Sequence, residues 1–348
     1  MKRKDFLSSS AFLLAGAALP PFMEKIINTS EKDKDTTDIL PLIPPYLKKG
    51  DSVGITSPAG YISLEEILPS IQLMASWGYQ LKIGETIGKR DFTFGGSDEE
   101  RARDFQQMLD DKSIKAIMCA RGGYGVIRII DKLKWDQFKA KPKWVIGFSD
   151  ITVFHSHINR NLGIATIHSK MCNSFPDDWG RAEPVQVETI LSIQKALGGE
   201  KMNYSVPPNI QNKPGLATGV LVGGNIKTLE SLAASGSDIN TAGKILFVED
   251  TGEYMYSVDR MFWNLKRSGK LSHLKGLIVG GFKVKVDDAG DDFGKTLEGV
   301  VLEKVNQYDY PVCFDFPVGH QKNNFALKCG VIHKLIVQQQ QCTLTELS

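Results

Sequence analysis

From Asp51 to about His168, short apolar runs alternate with amphipathic stretches. That alternation restricts the segment to a parallel sheet flanked by helices. Val53-Gly-Ile-Thr reads as a first strand, and Ile67, Leu68, Ile71, Met74 and Ala75 then fall on one helical face that ends at Gly78. Leu81-Lys-Ile predicts a second strand, Asp98 to Leu109 a helix, and Ala116-Ile-Met-Cys a third strand running into Arg121-Gly-Gly-Tyr-Gly125. A helix is expected from Val126 to Leu133, a buried strand at Trp144-Val-Ile-Gly-Phe148, and a helix from Ile151 to Asn161 closed by Gly163.

With 348 residues the chain fits two domains of roughly 150 residues each. The prolines between Asn173 and Gly215 mark a crossing from 173 to 214, with one helix from Val185 to Leu197. This divides the chain into a nucleophile domain at 44–172 and a carboxyl-terminal domain at 215–348. In the second domain, strands are expected at Ala217–Val222, Ile245–Val248, Leu277–Val279 and Val312–Phe314, with helices at Ile226–Ala234, Val258–Arg267 and Leu297–Tyr308. The final segment, Gly330 to Leu347, is β-patterned around a turn at Gln338 to Gln341.

Lys2, Arg3 and Lys4 precede the short apolar run Ala11–Leu19 and two prolines, the pattern of a signal peptide over 1–22. Lys4 stands where a twin-arginine signal has its second arginine. The polar stretch that follows reads as part of a tether over 23–43. An exported protein without a membrane span after signal removal is therefore expected, in the periplasm or cell envelope. The net charge of +2, from 42 basic and 40 acidic residues spread along the chain, leaves no footprint for nucleic acid. Five cysteines form no metal-ligand spacing; they read as small buried residues, and their number leaves any disulfide pairing open.

In open α/β sheets ligands bind beyond the carboxyl ends of the strands, so polar residues at strand exits are the first candidates. Ser149 leaves Trp-Val-Ile-Gly-Phe and opens a helix, Glu249 follows Lys-Ile-Leu-Phe-Val, and His320 follows Phe-Asp-Phe-Pro-Val-Gly. A serine at a strand-to-helix turn is a candidate nucleophile once a histidine takes its proton. Ser149 or Asp150 is equally suited to cap the next helix. Among six histidines, His320 and His168 are the candidates for the base, whereas His273 and His333 read as surface or core. His155 and His157, two apart on a helix, cannot share a metal. Glu249 suits the orienting acid, with Asp250 and Glu253 as alternatives. The amides of Gly123 and Asp150 are candidate oxyanion donors, and the glycine loop itself lacks the lysine and hydroxyl of a phosphate loop.

Seven stretches in order resemble the LD-carboxypeptidase family of serine peptidases, which includes muramoyl-tetrapeptide carboxypeptidases and microcin immunity peptidases. They are LKKGDSVGITSPAG, ARGGYG, IGFSDIT, LVGGNIKTL, ILFVEDTGE, DRMFWNL and PVGH, within a likeness that runs from about Pro44 to the carboxyl terminus. The resemblance implies Ser149 as nucleophile, Glu249 as acid and His320 as base. It also implies an amino-terminal α/β domain similar to class I amidotransferases, a smaller carboxyl-terminal domain carrying acid and base, and a homodimer. The implied reaction releases D-alanine from the L-centre to D-centre bond of murein tetrapeptides, with no metal or organic cofactor. Arg121 and Asn225 are candidate substrate contacts. Where many members have His-Gly-Pro, this chain has His168-Ser-Lys-Met171, so contacts from that loop are expected to differ. A tryptophan in the Phe175–Trp179 loop is a candidate to stack on a nucleotide-like group, as in the microcin-processing branch, or simply to pack. A peptidase for a toxic peptide conjugate and an exported solute-binding protein are the alternative readings.

Overall fold

The chain builds two sheets, and the computed structural model describes residues 41–347. In the first sheet, β1 (Ser52–Thr56), β2 (Gln80–Ile83), β3 (Ile114–Cys119), β4 (Trp144–Gly147) and β5 (Thr166–His168) run parallel, in the order β5-β4-β3-β1-β2. The connecting helices begin where the sequence supplies caps. Ser63 and Glu66 form a capping box at the start of α1 (Leu64–Ser76), and Ser97 and Glu100 form another at α2 (Asp98–Asp110). Each box satisfies two of the amides that a helix start leaves unpaired, while Ile67, Met74, Phe105 and Leu109 turn into the core. A short α3 (Asp136–Ala140) precedes β4, and α4 (Thr152–Leu162) ends on left-handed Gly163.

After α5 (Pro184–Gly198) comes the second sheet. Its strands are β6 (Asn203–Val206), β7 (Gly215–Asn225), β8 (Ile245–Thr251), β9 (Gly276–Lys283), β10 (Val312–Cys313), β12 (Ile332–Val337) and β13 (Cys342–Glu346). They lie in the order β10-β9-β8-β7-β12-β13-β6, parallel from β10 to β7 and antiparallel beyond. The helices α6 (Ile226–Ser231), α7 (Met255–Arg267) and α8 (Leu297–Val305) follow β7, β8 and β9.

One strand crosses between the halves. β11 (Leu327–Cys329) pairs antiparallel with β5, placing Leu327 opposite His168, so the amino-terminal sheet is parallel through five strands and closed by a sixth from late in the chain. Lys328 of β11 meets Glu346 of β13 at 2.9 Å with both side chains fully buried. Removing one member would strand the other charge, at a cost of about 3–5 kcal/mol. A single apolar cluster that includes Trp144 and Ile146 of the first sheet and Leu221 and Phe247 of the second runs through both.

Three expectations are corrected. The helix expected over Val126–Leu133 is two separate 3₁₀ turns, Val126–Arg128 and Ile130–Lys132. The amide of Val126 donates to the Asp150 carboxylate, and the carbonyls of Gly125, Val126, Ile129 and Ile130 accept from the amides three residues on, so the segment closes in 3₁₀ turns rather than an α-helical ladder. β8 extends past Val248 to Thr251, which places Glu249 inside a strand rather than at its exit. β6 and β11 were not expected at all, being short and flanked by loops. All five cysteines are buried free thiols. The expected signal peptide, and the tether as far as residue 40, lie outside the described residues; within them no helix is long and apolar enough to cross a membrane.

Candidate active site

β4 ends at Gly147, and the chain turns through Ser149 with φ 62° before a 3₁₀ turn, Ser149–Ile151, leads into α4. A non-glycine residue held in that region costs about 1–2 kcal/mol, a strain that recurs where a side chain must be presented at a fixed angle. Gly122 makes the presentation possible. A Cβ at that position would stand 3.1 Å from Ser149 Cβ and 3.3 Å from its Oγ. Neither Ser149 nor Asp150 caps the helix through its side chain. The Asp150 carboxylate instead accepts from the amide of Val126 at 2.8 Å and so anchors the glycine loop, while burial raises its carboxyl to about 6. The Ser149 hydroxyl has no hydrogen-bond partner among the described residues. It lines a cavity of about 450 Å³ whose wall also includes Gly123, Asp150, Asn225, Asp250 and Glu253.

Glu249 is fully buried, and its Oε2 lies 2.6 Å from Nδ1 of His320. Two backbone features bring them together. The register of β8 against β9 shifts between Val248 and Asp250, an irregularity of the kind that re-aims a side chain. Gly319, at φ 102°, passes so close that a Cβ there would sit 2.4 Å from Glu249 Cβ. Nε2 of His320 has no partner among the described residues, and its ring stands 4.9 Å from that of Phe148, the residue before Ser149. Of the alternative acids, Asp250 bonds Asn225 and the amide of Thr251, and Glu253 accepts from Ser257. Neither meets a histidine.

The other histidines serve the interior or the surface. His168 is fully buried beside Phe148 and Phe247, and burial holds its pKa well below 6.5, so it does not compete with His320 as a base open to substrate. His155 bonds Thr166 and the carbonyl of Gly147 in the core, His333 the carbonyl of Val331. His157 stacks on Trp135, and His273 is exposed.

Gly123 and Asp150 share the cavity wall with Ser149, and no described residue accepts from either amide. Arg121 is not brought to that wall; its guanidinium donates to the carbonyl of Tyr61 at 3.1 Å. Asn225 is on the wall with its side chain engaged, capping α6 through Thr228 and donating to Asp250 at 2.8 Å. Its own amide donates to Thr152 Oγ1 at 3.0 Å, stitching the end of β7 to the start of α4. In the following loop, Phe175 packs near Trp77 and Trp179 packs against the main apolar cluster.

Three residues that organise the site had no local sequence signal. Arg101, fully buried, pairs with Asp98 and donates to the carbonyls of Pro58 and Gly125, tying two loops together. Asn324 accepts from the amide of Gly319 at 2.8 Å and thereby closes the loop that carries His320. Lys170 donates to the carbonyl of Gln321, the residue after His320, at 2.7 Å. Arg101 reaches Pro58 and Gly125, and Lys170 reaches Gln321, from far along the chain, while Asn324 lies five residues from Gly319 in a loop that no periodicity marks.

Known proteins match both halves of the chain. Residues 53–169 match the LD-carboxypeptidase N-terminal domain and residues 218–335 the LD-carboxypeptidase C-terminal domain. A probable murein peptide carboxypeptidase of Bacillus subtilis is 32% identical over 82% of this chain and 89% of its own length. The microcin C7 self-immunity protein MccF of Escherichia coli is 24% identical over 88% of this chain and 96% of its own. The crystal structure of muramoyltetrapeptide carboxypeptidase from Oxalobacter formigenes superimposes with a TM-score of 0.76 at 25% identity, covering 85% of this chain and 99% of that one. A turn that strains one serine, a histidine paired to a buried glutamate, and both matched domains lead to one conclusion: the chain belongs to the LD-carboxypeptidase family of serine peptidases.

Proposed function

We propose that this enzyme releases the terminal D-alanine of murein tetrapeptides by hydrolysing the bond between an L-centre and that residue. The observation that carries the reading is the 2.6 Å contact of His320 Nδ1 with the buried Glu249, on a ring lying 4.9 Å from that of Ser149's neighbour Phe148. Glu249 fixes the imidazole tautomer, leaving Nε2 to accept the Ser149 proton as Oγ attacks the scissile carbonyl. The amides of Gly123 and Asp150 receive the developing oxyanion, a contribution of about 3 kcal/mol per donor in comparable sites. His320 then hands the proton to the amine of the departing D-alanine, and water hydrolyses the acyl-serine by the same route in reverse.

Relatives and neighbours named for murein peptides support the substrate class. The basic and apolar amino terminus supports export to the envelope, and cell fractionation tests that placement. A homodimer follows from the family resemblance, to be checked by sedimentation. The decisive assay follows D-alanine release from a murein tetrapeptide by the full-length protein and by Ser149→Ala. A loss of roughly 10⁴-fold or more is expected in the variant. Release at the wild-type rate by Ser149→Ala would overturn the assignment.

A further inference from the structure

A carboxypeptidase must distinguish the last residue of a peptide from one inside it, and the distinguishing group is the free carboxylate. A cation that reads this group must lie near the base. The base returns its proton to the leaving amine, so the leaving residue sits on the His320 side of Ser149, and its amine and carboxylate are separated by a single α-carbon. On that side a second cavity of about 470 Å³ opens, lined by Lys170, Asn173, Ser174, Gln186, Glu183 and Lys322 among others.

We propose that Lys170 binds the chain-terminal carboxylate of the substrate and that the cavity beyond it receives the departing amino acid. The inference rests on the peptidase reading above and extends it to a residue within the segment where this chain departs from its family's His-Gly-Pro. Lys170 is placed between the two halves of the reaction centre. Its ammonium donates at 2.7 Å to the carbonyl of Gln321, next to His320, and stands 5.7 Å from the ring centre of Phe148, next to Ser149. One of its three donors is spent on that carbonyl, and no described carboxylate forms an ion pair with it. Lys283 also lies close enough to act on Lys170 and has no ion-pair partner among the described residues, but it is exposed on β9; the other cations nearby are engaged. Lys322 is held by Glu183 at 2.7 and 2.9 Å, Lys227 by Glu230 at 3.2 Å, and Arg121 by the carbonyl of Tyr61.

The electrostatics fit a site that waits for an anion. Burial, and after it Lys283, lower the Lys170 amine to about 8 against the opposing pull of Glu249. Those two are the charged groups acting most directly on it; on the cavity wall Asp177 adds a carboxylate that forms no ion pair with Lys170, Lys322 and Glu183 neutralise one another, and His320 is held by Glu249. An incoming carboxylate would supply the missing partner for a half-buried ammonium, so binding and protonation reinforce each other.

The test measures kcat/KM of the full-length protein on a tetrapeptide ending in D-alanine and on the same peptide ending in D-alaninamide. The wild type is expected to prefer the acid strongly. Lys170→Met should reduce that acid-over-amide preference by roughly a hundredfold, and Lys170→Arg, which keeps the charge, should retain it within roughly tenfold. For the wild type alone, KM for the acid should rise as pH passes about 8, while KM for the amide stays level across the same range. This measurement needs no variant to fold. An unchanged preference in Lys170→Met, or parallel KM profiles for acid and amide, would overturn the inference while leaving the peptidase reading intact. A wild-type protein that releases D-alanine or its amide from neither peptide overturns that reading instead.

Discussion

The turn that carries Ser149 and the loop that carries His320 solve the same positional problem by opposite means. Ser149 is aimed by its own backbone, a single residue at φ 62° between a buried parallel strand and the helix that follows. His320 is aimed by other parts of the molecule. Glu249 from β8 holds its ring, Asn324 closes its loop, and Lys170 from the end of the first sheet holds the next carbonyl. A group fixed locally is insulated from distant change, whereas one that also depends on two partners remote in sequence, Glu249 and Lys170, inherits the fate of each. The nucleophile side should therefore tolerate substitution in its surroundings better than the base side does.

The largest effect should come from the partner with no substitute. Glu249→Gln retains the shape but offers His320 an amide in place of a carboxylate, and kcat is expected to fall by roughly 10³–10⁴-fold with the fold retained by circular dichroism. A loss under tenfold would mean that His320 is oriented by something else. The next comparison sets one glycine from each side against the other. At Gly319 an added methyl would collide with Glu249 Cβ at 2.4 Å, whereas at Gly122 it would press on Ser149 Cβ at 3.1 Å. Gly319→Ala should lower kcat by roughly a hundredfold and Gly122→Ala by roughly tenfold, because an ångström of displacement matters more than a few tenths. The reverse order would sink the contrast between the two regions.

The smallest effect concerns stability on the nucleophile side. Burial holds the Asp150 carboxyl at about 6, above the roughly 3.9 of an unfolded chain. Its contribution to stability is thus fully present below pH 4 and is lost as pH rises through 6. Asp150→Asn can still accept from the Val126 amide without acquiring that charge. Relative to wild type it should gain on the order of 2 kcal/mol between pH 4 and pH 7.5, read as the pH dependence of the difference in Tm. An offset that stays the same at both pH values would show that folding leaves the pKa of this carboxyl unshifted.

How far the sequence was legible follows the same division. The strand-to-helix turn, the capping boxes at Ser63 and Ser97, and the helical stripe through Ile67 and Met74 are all written in neighbouring residues. The pairing of His320 with Glu249 spans 71 positions and emerged as an expectation from strand ends and family likeness, not from spacing. Asn324 and Lys170 gave no signal, since nothing adjacent to an asparagine or a lysine reveals which amide or carbonyl it will meet. The Val126–Leu133 segment misled because its apolar periodicity is genuine, yet its carbonyls bond the amides three residues on, as at Gly125 with Arg128 and Val126 with Ile129, and apolar spacing over so few residues does not separate the two helix types.

By itself, the sequence determined most of the elements, though not β6, β11 or the turns over Val126–Lys132, and it marked the strand-to-helix turn at Ser149, because hydrogen bonding, side-chain periodicity and backbone sterics act over a few residues. Only the tertiary structure decided that β11 would close the first sheet from the far end of the chain, that Glu249 would turn at an irregularity within β8, and that Lys170 would stand beside the base. Those outcomes depend on which distant surfaces can be buried together and on which buried charges find partners. That is settled by packing of the whole chain rather than by any window of it.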